Sequence, residues 1–188
     1  MKKNILTGVR LLHFCAQVFV IALVSFQASA QDSLANIKEP EFPFEPVLLD
    51  NNGTLTTLAK EPVAMSFKRN NFNGGSKEFF NLQGAHSAKL LSGHDQYRFL
   101  ITTPNHNPKE VCSLYKLEVN EGKKKRRFQY YTVARNFVGR ISNMSAAPPI
   151  PLDFKKLKGN TYLFSVTALE PGDYGILVDM QMFTFRIQ

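Results

Sequence analysis

Five consecutive cations, Lys123, Lys124, Lys125, Arg126 and Arg127, stand directly ahead of Phe128, Tyr130 and Tyr131. Cations interleaved with aromatic rings are how single-stranded nucleic acid is held, by attraction to the backbone and stacking of bases. The same run also makes a solvated hairpin tip, set between Glu121-Gly122 and a strand, whose charges discourage edge-to-edge pairing. Alternation along that strand sends Phe128 and Tyr130 to one face and Tyr131 to the other, so at least one set of rings belongs to the core. Lys123, Lys124, Lys125, Arg126, Arg127 and Tyr130 are therefore the candidate binding residues. The partner they suit is an acidic glycan, an anionic lipid surface or an acidic protein. Nucleic acid is not expected, because the chain opens with an export leader.

Other constellations select no chemistry. His86, His94 and His106 are the histidines beyond the leader, and Asp95 stands beside His94. A zinc site needs three or four converging ligands, usually at tighter local spacing, so no metal or other cofactor is expected. No Gly-x-Ser-x-Gly elbow is present for a nucleophilic serine. Fifteen acids are present, but their spacing selects no pair for glycosidic cleavage, since a strand fold brings distant residues together. "FNGGSKEFF" has the glycines of a phosphate loop without the Gly-Lys-Ser/Thr that such a loop requires. "DNNG", residues 50–53, reads as a turn and lacks the spaced acids of a calcium loop. No catalytic residue is nominated.

The leader bounds the compartment. Lys2, Lys3 and Arg10 precede an apolar run from Leu11 to Val24, and Ala28 and Ala30 supply the small-residue cleavage pattern of a secretory signal peptide. That run also carries His13 and Gln17, and it is shorter than the roughly 20 apolar residues of a spanning helix. Phe14 before Cys15 argues against lipidation. Residues 1–30 are thus expected to be removed, giving an exported chain, periplasmic or extracellular, without a transmembrane segment. Its net charge falls from +8 to +5 once the three leader cations are gone. Cys112 is then the single cysteine, so no intramolecular disulfide forms. Its place in "EVCSLYKLEV" predicts a buried, inert thiol.

The elements that must position these residues are strands. Residues 31–46 hold Pro40, Pro43 and Pro46, which forbid a helix interior and predict an extended segment with an edge near Phe42 and Phe44. From 47 to 188, short apolar runs alternate with turn chemistry. "NNG" predicts a two-residue hairpin at Asn52-Gly53. "KRNNFNGG" and "PNHNP" read as loops. "YRFLITT" aligns Tyr97, Phe99 and Ile101 on one face, and "MFTFRI" aligns Phe183, Phe185 and Ile187. "VCSLYKLEV" and "FQYYTVA" pair through the basic tip. "TYLFSVTA" and "DYGILVDM" are joined by "LEPG", where Pro171-Gly172 fits a type II turn. Two stretches carry helix signals, "SKEFFNLQ" after a capping Ser76 and "PLDFKKLK". Strands dominate and no βα alternation occurs, which predicts a single antiparallel β-sandwich, immunoglobulin-like or similar. Sixteen phenylalanines and no tryptophan suit a core of interdigitated Phe, Leu and Val.

"LEPGDYGILVD" with the closing "FTFRI" resembles the Leu-x-Pro-Gly-Glu-Tyr strand and terminal Phe-x-Phe strand of small secreted, uncharacterised Bacteroidetes-type proteins. "LQGAHSAKLL" is similar to their Gly-x-x-Ser segment through Gly84 and Ser87, and "GKKKRR" to their basic hairpin. Asp173 stands where that pattern has Glu, and Arg186 where it has Gly. The resemblance spans about Val47 to Ile187 and implies a β-sandwich in an exported protein, with no activity attached. The function expected is that of a binding or accessory module. The alternatives are a hydrolase acting on envelope polymers, or a structural subunit pairing through an edge strand near the proline-rich segment.

Overall fold

The computed structural model describes residues 37–69, 75–135, 138 and 140–188. The expected leader, residues 31–36 of the proline-rich segment and residues 70–74 of "KRNNFNGG" lie outside the described residues. The chain runs through β1 (Val47–Leu49), β2 (Leu55–Thr57), β3 (Ala59–Glu61), β4 (Ala64–Arg69), β5 (Ser76–Gln83), β6 (Leu90–Leu91) and β7 (Gln96–Thr102). A single helical turn, α1 (Pro108–Val111), leads into β8 (Cys112–Asn120), β9 (Lys125–Arg135) and β10 (Ile141–Ala146). The last four strands are β11 (Asp153–Lys158), β12 (Thr161–Thr167), β13 (Gly172–Val178) and β14 (Gln181–Ile187).

These strands form two curled sheets, antiparallel except where β6 runs parallel to β14. The smaller has the order β11-β12-β7-β1-β2, and the larger follows β3-β14-β13-β8-β9-β5-β4, with β10 added beside β9. The fold is all-β and sandwich-like. Tyr97, Phe99, Ile101, Phe164 and Val166 of the smaller sheet pack on Leu114, Tyr174, Ile176, Phe183, Phe185 and Ile187 of the larger. Alternation therefore places the rings of β7 and β14 as expected. Cys112 is buried in this core, and burial pushes its thiol up to about 12.

A second core lies on the opposite face of the larger sheet. Tyr115, Leu117, Leu177 and Met182 from one half meet Phe80, Leu82 and Phe128 from the other. The sheet must curl to bring those halves together. Its two end strands, β3 and β4, are separated in sequence only by Pro62 and Val63, so the path comes back to where it began.

Local details depart from expectation where tertiary partners compete with local signals. "SKEFFNLQ" is β5 and "PLDFKKLK" contains β11, so neither is helical. Each gains ladder hydrogen bonds that a lone short helix would forgo, β5 on both sides and β11 on one. "PNHNP" is the expected loop over 104–107, and the one α-helical turn among the described residues starts at its last residue: Asn107 caps it by accepting from the Lys109 N–H at 3.2 Å, and Pro108 opens it. The β1–β2 hairpin exists, but its loop is the longer 50–54, closed by the Asp50 carboxylate accepting from the Asn52 and Thr54 N–H groups at 2.9 and 2.7 Å. "LEPG" does not close a hairpin at all. It carries the chain from β12 in the smaller sheet to β13 in the larger, with Gly172 at φ 149°. Near Phe42 and Phe44 the chain turns instead of forming an edge strand, with the Phe44 N–H donating to the Thr102 carbonyl at 2.8 Å.

Candidate functional site

The five-cation run divides along the strand it enters. Asn120 caps a 3-10 turn (Glu121–Lys123), and Lys124 adopts a left-handed conformation at φ 48° to reverse the chain into β9. Lys123, Lys124 and Lys125 stay exposed at the tip. Arg126 and Phe128 then point inward and are buried, while Arg127 points out. Arg126, 1% exposed, thus leaves the surface patch in which the sequence grouped it. Tyr130 is half-buried, its ring 4.6 Å from Phe80 and packed on the second core. It is a core ring more than a stacking platform. The signal for Arg126 was present in the period of two: it shares the parity of Phe128.

A buried charge must be paired and hydrogen-bonded, and Arg126 meets that demand through Nε and Nη2, with groups distant in sequence, while its Nη1 makes no hydrogen bond. Its Nε donates to the Gly84 carbonyl at 3.1 Å and its Nη2 to the Gln83 carbonyl at 2.8 Å. It also ion-pairs with Glu61, and its Nη1 lies 3.9 Å from Asp173 Oδ1. Asp173, equally buried, accepts from the Ser87 N–H at 2.6 Å and binds His86 Nδ1 at 2.8 Å. Thr184 Oγ1 donates to Glu61 and shares a hydrogen bond with Ser87 Oγ at 2.8 Å. His86 Nε2 reaches out to Glu121 at 2.9 Å. The Gly-x-x-Ser segment, the basic hairpin and the Pro-Gly-Asp strand therefore meet in one network.

That network contains Ser, His and Asp but not their nucleophilic arrangement. The Ser87 hydroxyl faces Thr184, and His86 spends its second nitrogen on Glu121, so no base touches the hydroxyl. The groups hold the hairpin to the sheet. His94 and His106 stand apart: the first is exposed beside Tyr97, the second bonds the Pro104 carbonyl through Nδ1 at 2.8 Å. Among the described residues no three His, Cys, Asp or Glu side chains gather as metal ligands.

The outward-facing cations have a different setting. Beyond the second core, β4, β5, β9 and β10 continue as a four-stranded ribbon in the order β4-β5-β9-β10. Every residue of β4 and β10 is exposed. The four strands carry Lys68, Arg69, Lys77, Lys125, Arg126, Arg127 and Arg135 against a single acid, Glu78. Lys68 pairs directly with Lys77 across the β4–β5 ladder, a like-charge juxtaposition that costs stability. On the same face the Arg127 guanidinium covers the Phe79 ring at 4.6 Å and bonds Glu118 at 3.1 Å. Lys68, Lys77, Phe79, Glu118, Arg127 and Thr132 line a groove of about 690 Å³ there. The sequence reading missed Lys68 and Lys77, because β4 and β5 are not neighbours of the basic run in sequence; the β5–β9 register brings them alongside.

Comparisons with protein-family models, with curated proteins and with solved structures each give no match. No helix among the described residues is long and apolar enough to cross a membrane.

Proposed function

We propose that this is an exported binding or accessory module, freed of residues 1–30, whose ribbon grips an acidic polymer through the Lys68–Lys77–Arg127 groove. The finer immunoglobulin-like assignment and the kinship to small secreted Bacteroidetes-type proteins belong to the same proposal. The observation that carries it is the unrelieved Lys68–Lys77 pair. Two ammonium groups held opposite one another repel, and no ion pair relieves either among the described residues. An anionic ligand would turn that repulsion into binding energy. Lys125 and Arg127 extend the same charged face along β9 toward the hairpin tip, giving an elongated track suited to a chain of carboxylates or sulfates.

Binding to heparin and to polygalacturonate, measured across a salt series, tests this. The wild-type affinity should fall steeply with salt. A Lys68→Gln/Lys77→Gln/Arg127→Gln variant should lose most of that slope and about tenfold or more in affinity. The control is Lys155→Gln/Lys156→Gln/Lys158→Gln on β11, which removes the same charge from the smaller sheet. Equal losses from both variants would reduce the groove to non-specific attraction and overturn the reading.

A further inference from the structure

The other face of the ribbon has another character. Pairing in register sets Met65, Phe67 and Arg69 of β4 on the side of Ser76 and Glu78 of β5. Tyr131, Val133 and Arg135 of β9 and Met144 of β10 continue that side. Closer to the hairpin, this side is the one that bears Phe80 and Phe128 in the second core. Beyond the core nothing described covers it. Phe67 is 66% exposed, Met65 48% and Met144 51%, an unusual concentration of large apolar side chains in two adjacent hairpins. Phe67, Arg69, Ser76 and Arg135 alone line a cleft of about 600 Å³.

We infer that this face docks on a phospholipid bilayer, with Phe67 entering the acyl boundary and Arg69, Arg135 and the Ser76 hydroxyl taking a headgroup phosphate. The choice of occupant rests on the chemistry of the cleft. Guanidinium forks match phosphate oxygens in a way ammonium groups do not. Phe67 stands with Met65 and Met144, whose aliphatic side chains offer no stacking face, and exposed apolar side chains rimmed by cations are how a surface settles into a charged lipid interface. A second copy of this chain would have to bring the Arg69 and Arg135 guanidinium groups of two ribbons together. Arg69 and Ser76 also border the groove of Lys68, Lys77 and Arg127, but Phe67 and Arg135 belong to this cleft and not to the groove, so variants at either set tell the two sites apart.

The chain contains no tryptophan, so Phe67→Trp places a sole indole reporter at the cleft. With phosphatidylglycerol-containing vesicles at physiological salt, its emission should shift to the blue and be quenched by brominated acyl chains. Phosphatidylcholine vesicles should give a much weaker response. Arg69→Gln/Arg135→Gln should lower vesicle affinity at least tenfold in co-sedimentation, and Phe67→Asp should abolish binding. Melting temperatures close to wild type would confirm that these exposed positions leave the fold intact. Indole emission from the Phe67→Trp variant that stays unchanged with vesicles would overturn the inference, as would vesicle binding that survives Phe67→Asp. So would a concentration-dependent dimer, seen by analytical ultracentrifugation, that the same substitutions abolish. If instead the Lys68/Lys77/Arg127 variant alone loses vesicle binding, the headgroups are read by the groove and this face has no part.

Discussion

Strand β9 passes through two regions that treat the same kinds of residue in opposite ways. In its first half, Arg126 and Phe128 are sealed between the halves of a curled sheet, and the guanidinium is engaged by backbone carbonyls and carboxylates. Its second half runs through the ribbon, whose outer strands β4 and β10 are exposed at every position, and cations there stand beside bare apolar side chains. The closed region meets its polar groups from within, all but Arg126 Nη1, which has only the Asp173 carboxylate 3.9 Å away. On the ribbon, Lys68 and Lys77 face each other instead of an acid, which is the condition under which a surface gains by meeting something else. Burial, more than residue type, separates scaffold from candidate interface here.

The sharpest way to break this comparison is Arg126→Ala. Removing the buried guanidinium leaves Glu61 with the Thr184 hydroxyl and Asp173 with His86 and the Ser87 N–H. Loss of the central cation of a buried network should cost about 3–5 kcal/mol, read by urea unfolding. A loss below about 1 kcal/mol would place Arg126 with the solvated tip after all.

Next is a dependence on alkali that belongs to the closed region alone. The Cys112 thiol is pushed up to about 12 by burial, whereas in the unfolded chain it ionises near its ordinary value. Its contribution is therefore complete below roughly pH 9 and is lost as pH rises toward 12, at about 1.4 kcal/mol per pH unit. Between pH 8 and 10.5, wild type should lose about 2 kcal/mol more than Cys112→Ala does. Parallel curves would mean the thiol ionises freely. Slow maleimide labelling in buffer and fast labelling in urea should accompany the difference.

Gly172→Val should destabilise by about 1–3 kcal/mol, the scale of strain where only glycine is at ease. Gly172 sits at φ 149°, and a Cβ there would come within 3.3 Å of the Lys116 side chain. An unchanged melting temperature would show that the crossing between sheets tolerates another path.

The smallest effect carries the opposite sign. Lys68→Glu replaces a repulsive cross-strand pair by an attractive one and should stabilise by about 0.2–1 kcal/mol, while heparin affinity falls. A variant more stable and less able to bind would mark the ribbon as held in readiness for a ligand. A variant that binds as before would not.

What the sequence made legible follows the same division. Tyr97, Phe99 and Ile101, and again Phe183, Phe185 and Ile187, are buried in the core in register, because a sheet with one face on a core enforces a period of two. Cys112 was legible for the same reason. β5 was not: Phe79 and Phe80 are adjacent and both buried, one under Arg127 and one in the second core, so its alternation is blurred and the capping serine suggested a helix. The basic run was legible as a hairpin tip but not as a run that divides, since five like charges suggest uniform solvation. The groove was not legible, because Lys68 joins Arg127 only through the β4–β5 and β5–β9 registers. "LEPG" misled because turn chemistry reports a change of direction without naming the sheet that receives the next strand.

The position of β14 has a consequence in time. It lies between β3 and β13, and Met182 pairs with Glu61, 121 positions earlier. Its Met182 belongs to one core and its Phe183, Phe185 and Ile187 to the other. Neither core can close until this strand arrives, so folding is governed by distant pairings and should take roughly milliseconds to seconds, as for other sheet proteins of this kind. β4 and β5 are neighbours in sequence and pair with each other, so they can form a hairpin before β9 arrives, and open strand edges recruit other chains. Lys68, Arg69 and Lys77, set on that hairpin, would keep half-folded molecules apart during the wait.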